Sequence, residues 1–497
     1  MKDNERLARL NRLSPAKRAL LMEKLREEGR QRKGTGIGRY ERNGPIPQTF
    51  AQQRLWFLDR LQPGGSFYNM PECARLEGRL DLDRFNRCFN DIIRRHESLR
   101  TTFGMHDGLP VQIIAPELEL AIELIDVESL PWEEREPEAR RLLFVESEHA
   151  FDLINGPLVR MTLIRLAEEH HFLLINMHHI ISDGWSTGIF IHELTTLYEA
   201  YMSNRPATLP ELPVQYADFA FWQREWLHGD RFDEQLSYWV ERLARTPMLE
   251  LPLDRPRPPV QSFRGGFQSL LLPIPLARGL ERLALAEGAS LFMVLLAAFK
   301  TLLYRYSGQT DISAGVPIAG RVRPELETLI GFFANTVVMR TDLGGDPTFR
   351  DVIRREREVA LGAYAHQEMP FERVVEELQP ERNLSFNPIF QLMFILQNTR
   401  IPVLELPGLR FELLAAGTLS VKFDILFELY ETREGIQGWM GYSSELFEPE
   451  TMQRMARDYR TLLEAVVDDP DTEISTIRIG SAGAELAAGF DDDLEML

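Results

Sequence analysis

The sequence predicts an α+β protein built from two lobes. Its 497 residues exceed what a single hydrophobic core usually supports, so we expect two domains or subdomains. Apolar residues make up 44% of the chain and aromatic residues 10%, which is enough to bury a large core. Strand-like and helix-like stretches follow one another without the strict alternation of a doubly wound parallel sheet. We therefore expect layers of helices and sheets in an N-terminal lobe at 46–222 and a C-terminal lobe at 223–480.

Hydrophobic periodicity defines the elements of the N-terminal lobe. Apolar residues at every second position indicate strands, and apolar residues at every third or fourth position indicate helices. In chain order, the predicted elements are helices at 82–96, 138–149 and 187–201 and strands at 111–114, 159–166 and 172–177.

The C-terminal lobe repeats this mixture of elements. No sequence identity relates the two halves visibly, so periodicity alone does not establish an internal duplication. The predicted elements are helices at 232–243, 276–286, 290–306, 349–364 and 449–467 and strands at 268–272, 312–316, 336–342, 389–396, 423–430 and 438–442.

The first 45 residues differ from the rest of the chain in charge. They hold 13 Lys or Arg against 6 Asp or Glu, although the whole chain carries a net charge of −19. Ser14 followed by Pro15 is typical of a helix start, and the pattern predicts a helix from there to about Arg30. The GTGIG run at 34–38 follows no predicted strand and opens no helix, so a flexible linker explains it better than a dinucleotide-binding loop.

Composition argues against several classes of protein. No apolar run approaches the roughly 20 residues of a membrane span, and the charged N-terminus does not resemble a signal peptide, so we expect no membrane association. The two cysteines, Cys73 and Cys88, indicate no disulfide framework, which predicts a reducing, cytoplasmic location. The net negative charge argues against nucleic-acid binding.

Two adjacent histidines mark the candidate functional site. His178 and His179 follow the predicted strand at 172–177, and strand alternation places them on opposite faces. Histidine has the side-chain pKa nearest neutrality, so a positioned histidine can act as a general base. We expect no metal here, because the spacing lacks the i, i+4 pair of a helical zinc site. A purely structural histidine is the alternative that this motif alone leaves open.

Seven collinear segments resemble the motifs of the condensation domains of nonribosomal peptide synthetases. The matches extend over about residues 47–400, and Lys422-Phe423-Asp424 continues the likeness toward residue 480. The segments are AQQRLWFL at 51–58, RHESLRTTF at 95–103, HHIISDG at 178–184, YADFAFW at 216–222, IGFFANT at 330–336, HQEMPFE at 366–372 and NPIFQ at 387–391.

The resemblance implies both a fold and a reaction. The fold would be a pseudodimer of two chloramphenicol-acetyltransferase-like lobes in a V shape, with the active site in a tunnel between them. The chain would be an acyltransferase that joins a donor acyl or peptidyl thioester to the amine of an acceptor aminoacyl thioester. Both substrates would arrive on the phosphopantetheine arms of peptidyl carrier proteins, with an adenylation domain as a further partner. The chain itself would bind no cofactor and would act as a monomer.

The motifs that the sequence lacks agree with this chemistry. A thioester is already activated, so the protein needs only to align two substrates and manage one proton. The sequence contains neither a GxSxG nucleophile elbow nor a GxxxxGK[ST] phosphate loop.

The resemblance also assigns roles to the motif residues. His179 would either deprotonate the acceptor amine or orient it by a hydrogen bond, whereas His178 would be structural. Asp183 would form an ion pair that fixes the histidine loop, with Arg321 as the expected partner and Arg54 as the alternative. A catalytic triad through Asp183 is the competing interpretation.

Four further residues are candidates for the walls of the tunnel. Gly184 lies where the resemblance places the acceptor-side entrance, and a side chain there would narrow the channel. Glycine would also tolerate a turn at that position. Ser182, Trp185 and Asn335 are candidate lining residues, with packing or hydrogen bonding as their alternative role.

Other functions stay open at this point. An ester-forming relative would use His179 for a hydroxyl acceptor, and a catalytically silent platform would recruit partner enzymes. The presence of His179 and Gly184 argues against the silent platform, and the surrounding segments fit condensation better than epimerisation. The acidic tail at 481–497 is predicted to be either a linker stub or a short docking motif.

Overall fold

The computed structural model describes residues 36–480, apart from 62, 381–382, 384, 398–403, 407 and 415–420. The helix predicted to begin at Ser14 and the acidic tail at 481–497 lie outside the described residues.

The first half of the chain contains five helices and seven strands among its described residues. Short 3-10 turns cover Glu97–Arg100 and His179–Ile181. The helices are α1 Phe50–Leu61, α2 Leu82–Arg95, α3 Trp132–Ser147, α4 Gly184–Met202 and α5 Tyr216–Trp226, and the strands are β1 Ile46–Pro47, β2 Asn69–Gly78, β3 Thr101–His106, β4 Leu109–Ile114, β5 Glu123–Asp126, β6 Val159–Ala167 and β7 His170–His178.

The second half adds six helices and eight strands in its described part. A 3-10 turn covers Pro324–Leu326. The helices are α6 Asp230–Leu243, α7 Ile274–Ala286, α8 Leu291–Ser307, α9 Phe349–Ala365, α10 Phe371–Leu378 and α11 Pro449–Asp468, and the strands are β8 Gly265–Pro273, β9 Asp311–Ile318, β10 Asn335–Asp342, β11 Leu392–Gln397, β12 Leu404–Leu406, β13 Leu409–Leu414, β14 Ile425–Thr432 and β15 Gly435–Ser443.

Two six-stranded sheets organise these elements. The first has the order β12-β13-β2-β7-β6-β5, and the second has the order β10-β9-β11-β14-β15-β8. Most neighbours are antiparallel, but β5 runs parallel to β6, and β11 runs parallel to both β9 and β14. A small third sheet has the order β1-β4-β3. The α+β prediction is confirmed.

Each large sheet is covered by its own apolar helices. Phe85 and Phe89 of α2 and Phe190 of α4 are fully buried in the first core. Helix α8 lies at the centre of the second core, where Phe299 packs against Phe394 and Phe427. Each large sheet therefore packs against a buried aromatic cluster.

The two lobes do not separate along the chain as simply as predicted. Helix α5 continues through Trp222, so the predicted boundary at 222/223 falls inside a helix. Strand β13 belongs to the second half but pairs with β2, where it buries Phe411 in the first core. Without β13, β2 would be an exposed edge strand with unpaired backbone groups. The wider division at 46–222 and 223–480 stays a prediction.

Several element ends differ from the sequence-based expectation. Helix α4 begins at Gly184 rather than at 187, because the Asp183 side chain caps it by accepting the N–H of Ser186 at 2.9 Å. Strand β11 begins at Leu392 rather than at 389, because Ile389 has a φ of 73°, which no strand accommodates. Helices α1, α5 and α10 were not predicted.

The described residues from Gly36 onward, which include the end of the GTGIG run, are not a free linker. Ile37 is buried in a cluster with Tyr216 and Phe333. Arg39 donates through Nε to the carbonyl of Pro213 at 3.1 Å, and the backbone N–H of Tyr40 donates to Asp218 at 3.0 Å. The flexible-linker interpretation is therefore wrong for the described residues from 36 onward, because this segment buries an apolar side chain against α5.

No single helix among the described residues has the length and apolar composition needed to cross a bilayer; α7 and α8, which are bent by 104° at their junction, pass that test only as a pair.

Candidate active site

The two histidines lie at the carboxyl end of a central strand. β7 pairs with β2 on one side and β6 on the other, and it ends at His178. The Nδ1 of His178 accepts the backbone N–H of Ile180 at 3.1 Å, which starts a 3-10 turn. His179 is therefore part of the turn and not of β7. The strand alternation that predicted opposite faces for the two histidines ends at His178 and does not apply to His179.

His178 is a buried structural residue. Its ring lies 6.2 Å, centroid to centroid, from the rings of both Tyr68 and Phe151. Burial, followed by the charges of His179 and Lys422, lowers the pKa of His178 to about 3. A neutral, enclosed imidazole with one nitrogen committed to the backbone is suited to shaping the turn.

Hydrogen bonds fix the ring and the tautomer of His179. Its Nδ1 lies 2.8 Å from the backbone carbonyl oxygen of Ser182. Since a carbonyl oxygen only accepts, Nδ1 carries the proton, and Nε2 of the neutral ring keeps its lone pair. The backbone N–H of His179 donates to the carbonyl of Tyr68 at 2.7 Å, and the ring packs 4.5 Å from that of Phe332.

The environment of His179 favours the neutral ring. Burial, and then the positive charge of Lys422, lowers the pKa of His179 to about 4, although the hydrogen bond to Ser182 and the charge of Asp183 oppose this. At neutral pH the ring therefore presents an acceptor nitrogen, and it is a weak base.

Asp183 and Arg321 form the ion pair that holds the histidine loop. The two oxygens of Asp183 accept from Nη1 of Arg321 at 2.8 Å and from Nη2 at 3.0 Å, and each side chain is only 2% exposed. Asp183 also accepts the backbone N–H groups of Ser186, Phe333 and Ala334 at 2.9, 3.0 and 3.2 Å. This carboxylate therefore joins the loop after β7 to the segment that precedes β10.

The geometry does not form a triad through Asp183. The group that accepts the Nδ1–H of His179 is the Ser182 carbonyl, and Asp183 is occupied by Arg321 and backbone N–H groups. In a triad the carboxylate itself would accept that proton donor.

Arg54 pairs with Glu372 and not with Asp183, for which it was the alternative partner. Its Nη1 lies 3.3 Å from Oε1 of Glu372, and its guanidinium carbon lies 5.7 Å from the centroid of the Phe371 ring. Arg54 as the partner of Asp183 is therefore wrong: the residue joins α1 to α10, while Arg321 occupies Asp183.

Three of the candidate lining residues, Gly184, Trp185 and Ser182, differ in their surroundings. Gly184 is exposed, has an ordinary backbone conformation, and has open space where a side chain would begin, so no turn requires glycine there. The indole N–H of Trp185 donates to the carbonyl of Glu327 at 3.0 Å. The hydroxyl of Ser182 is buried with no hydrogen-bond partner among the described residues.

Asn335 is a fixture of the backbone. Its amide nitrogen donates to the carbonyls of Gln367 and Met369 at 3.0 and 2.7 Å. Its amide oxygen accepts the N–H groups of Thr336 and Phe371 at 2.9 and 3.0 Å. All polar capacity of the amide is therefore used to hold the loop before α10 against β10.

Sequence reasoning missed the contributions of Lys422 and Tyr68. Lys422 lies just before β14, and its Nζ is 4.3 Å from the centroid of the Tyr68 ring. Only the match at Lys422-Phe423-Asp424 could have drawn attention to this lysine. Nothing in the sequence around Tyr68 indicated that its carbonyl would hold His179.

The described residues offer no metal or thiol site. They contain no group of three or more His, Cys, Asp or Glu side chains arranged to hold a metal ion. Burial raises the pKa of Cys73 and Cys88 to about 12, so neither is a thiolate at neutral pH.

Comparisons with known proteins identify the family of this chain. The model of the condensation domain matches residues 42–485. One of the linear gramicidin synthase proteins of Brevibacillus parabrevis is 48% identical over 443 residues, which cover 88% of this chain and 6% of that protein. Phosphinothricin tripeptide synthetase PhsC of Streptomyces viridochromogenes is 39% identical, with 95% of this chain and 44% of that protein covered.

Solved structures agree on the fold. The X-domain from teicoplanin biosynthesis superposes with a TM-score of 0.82 at 30% identity, covering 90% of this chain and all of that one. The first condensation domain of the calcium-dependent antibiotic synthetase gives a TM-score of 0.73 at 20% identity, covering 89% of this chain and all of that one.

The two-lobed α+β arrangement, with a histidine at the end of a central strand, is the chloramphenicol-acetyltransferase-like fold. Within that fold class, the chain belongs to the condensation-domain family of nonribosomal peptide synthetases. It spans only 6–9% of the length of the gramicidin synthase proteins that it matches.

Proposed function

We propose that this chain forms an amide bond between a donor acyl or peptidyl thioester and the amine of an acceptor aminoacyl thioester. The observation that carries the proposal is the tautomer of His179. Its Nδ1–H is held by Ser182, so Nε2 is available as an acceptor where the two halves of the chain meet. An amine that attacks a carbonyl must have a free lone pair and a defined direction, and an acceptor nitrogen provides that direction.

The depressed pKa of His179 favours orientation over full deprotonation. A general base works best when its pKa lies near the operating pH, whereas this ring has a pKa of about 4. We therefore propose that Nε2 accepts a hydrogen bond from the neutral acceptor amine and relays its proton late in the reaction. Asp183 and Arg321 fix the loop that holds the ring.

The partners follow from the substrates. Both thioesters would be carried on phosphopantetheine arms of donor and acceptor carrier proteins, which reach His179 from opposite mouths of a tunnel between the lobes. An adenylation domain would load those carriers. The relatives of this chain are synthases and synthetases far longer than the chain itself, which supports such partners.

A matched pair of acceptors tests the reaction. The purified chain is mixed with a loaded donor carrier and an acceptor carrier that bears either alanine or lactate, which differ only in amine against hydroxyl. Mass spectrometry of the released products should show the amide and little ester. A dominant ester would favour the ester-forming alternative, and no product with either acceptor would favour the silent platform.

Gly184→Trp should block the acceptor side. Gly184 is the first residue of α4 and has no heavy atom within 4 Å of a Cβ built there, so an indole can be placed there without disturbing the fold. On the acceptor side that we propose, the indole would occupy the path of the amine. We expect condensation to fall about 10²-fold, the loss that a misplacement of a reactant by roughly 1 Å can cause. Binding of the donor carrier, measured by calorimetry, should be unchanged.

Gly188→Trp is the matched control for this substitution. Gly188 lies one turn later on α4, is exposed, and also has open space at its Cβ position. It should condense at the normal rate. Equal activity of both variants would remove Gly184 from the acceptor path.

A further inference from the structure

Lys422, from the second half of the chain, contacts Tyr68 of the first half. Its Nζ lies over the ring of Tyr68, whose carbonyl holds the backbone of His179. Its charge contributes to the lowered pKa of both His178 and His179. The ammonium is therefore near enough to the two imidazoles for its charge to act on them.

The backbone that carries Lys422 is held firmly. The side-chain amide of Asn387 donates to the Lys422 carbonyl at 2.6 Å. Two residues on, the backbone N–H of Asp424 donates to the carbonyl of Gln391 at 2.9 Å, and its carboxylate is bound by both terminal nitrogens of Arg257. The lysine side chain is thus presented from a rigid segment, as a preorganised charge must be.

Lys422 differs from Lys300, which is also buried. The ammonium of Lys300 donates to Glu356, Thr341 and the Met339 carbonyl at 2.8–2.9 Å, so its charge and all three protons are satisfied. In the described part of the chain, the ammonium of Lys422 has no hydrogen bond or ion pair, only the face of an aromatic ring. It keeps the capacity to bind an oxygen that a substrate brings.

The surroundings leave the charge of Lys422 uncompensated. Burial, and then the charge of Arg54, lowers the pKa of Lys422 to about 8, so the ammonium persists at neutral pH. The carboxylates of Glu372, Asp424 and Asp183 are each bound by an arginine, and the two imidazoles are neutral. The charged and titratable groups linked to Lys422 by contact, charge or sequence are Tyr68, Arg54 with Glu372, Asp424 with Arg257, and His178 and His179.

We propose that the ammonium of Lys422 stabilises the negative charge that develops on the carbonyl oxygen of the donor thioester, an inference that rests on the amide-forming function proposed above. The amine nitrogen bonds to the carbonyl carbon, and the C=O π pair moves onto the oxygen. That pair returns as the C–S bond breaks, and the leaving sulfur takes the proton that the nitrogen loses. A fixed positive charge favours this intermediate more than the neutral thioester.

Two variants separate charge from packing. Lys422→Met keeps an unbranched side chain against Tyr68 without the charge, and Lys422→Arg keeps the charge. We expect Lys422→Met to lower kcat about 10²-fold, the typical loss of one oxyanion donor, with little change in KM for the acceptor. Lys422→Arg should keep most of the activity. Equal kcat for Lys422→Met and the unaltered chain, or equal losses in both variants, would overturn the proposal.

The pH profile gives a readout that packing would not change. The rate of the unaltered chain should fall as pH rises through about 8, where Lys422 loses its proton. The decline should be absent in Lys422→Met, which has no proton to lose, and in Lys422→Arg, which stays charged. An unchanged alkaline decline in Lys422→Met would assign it to another group and contradict the proposal.

A binding experiment separates this inference from the proposed function. A donor pantetheine with a phosphonate in place of the reacting carbonyl mimics the charge, and a thioether analogue of the same length is neutral. Lys422→Met should bind the phosphonate at least about tenfold more weakly and the thioether equally well. Equal affinity for both would reject the role of Lys422 even if condensation occurs. A selective loss without any amide product would instead count against the amide-forming function alone.

Discussion

His179→Ala should lower the rate of condensation by about 10²–10⁴-fold while the protein stays folded. The substitution removes the acceptor nitrogen Nε2 and the hydrogen bond from Nδ1 to Ser182, but the backbone N–H of residue 179 can still donate to Tyr68. Single-turnover kinetics with preloaded carriers measure the loss, and circular dichroism monitors the fold.

The neighbouring histidine serves as the control. His178→Ala removes a buried ring between Tyr68 and Phe151 and the cap of the 3-10 turn, so it should act mainly by lowering thermal stability. Near-normal turnover by a folded His179→Ala protein would exclude this residue from the reaction.

Asp183→Ala should destabilise the protein by about 3–5 kcal/mol, because it leaves the buried guanidinium of Arg321 without its counter-charge. It also leaves the N–H groups of Phe333 and Ala334 unpaired. Activity should fall together with stability, since the same carboxylate fixes the loop that carries His179. Urea unfolding of the purified variants measures the free energy of unfolding.

The double variant distinguishes an ion pair from two independent residues. Asp183→Ala combined with Arg321→Met should be less unstable than the sum of the two single variants, because the second change removes the unpaired charge. Glu138→Ala on α3 is the solvent-facing comparison: its pair with Arg141 at 2.7 Å is accessible to water, so its loss should change the free energy of unfolding far less than Asp183→Ala does. Additive effects at Asp183 and Arg321 would contradict the paired arrangement.

The sequence predicted most of the regular elements because their signals are local. The period of apolar residues marked α8 and β7 to within one or two residues. The motif likeness named Arg321 as the partner of Asp183 across 138 residues of chain, and the structure contains that pair. A contact between residues so far apart in the chain can be predicted from the resemblance to a family but not from the periodicity of apolar residues.

The missed features depend on contacts between distant segments. β13 pairs with β2 and covers an edge of that strand that would otherwise be unpaired. A pairing between segments so far apart leaves no local pattern in the sequence. Asn335 was a candidate tunnel residue with hydrogen bonding as its alternative role. Its amide forms hydrogen bonds to the backbone around Phe371. Ile37 was assigned to a linker because its glycine neighbours dominate the local signal, whereas its side chain packs against α5.

Transfer of a labelled acyl group between two carriers tests directly whether this chain forms an amide bond with the help of His179. The donor carrier bears a ¹³C-labelled acyl thioester, the acceptor carrier bears alanine, and intact-protein mass spectrometry follows both over time. We expect the chain to move the label to the acceptor carrier as an amide, and His179→Ala to slow this transfer about 10²–10⁴-fold. A label that stays on the donor, or that moves equally fast with His179→Ala, would contradict this expectation.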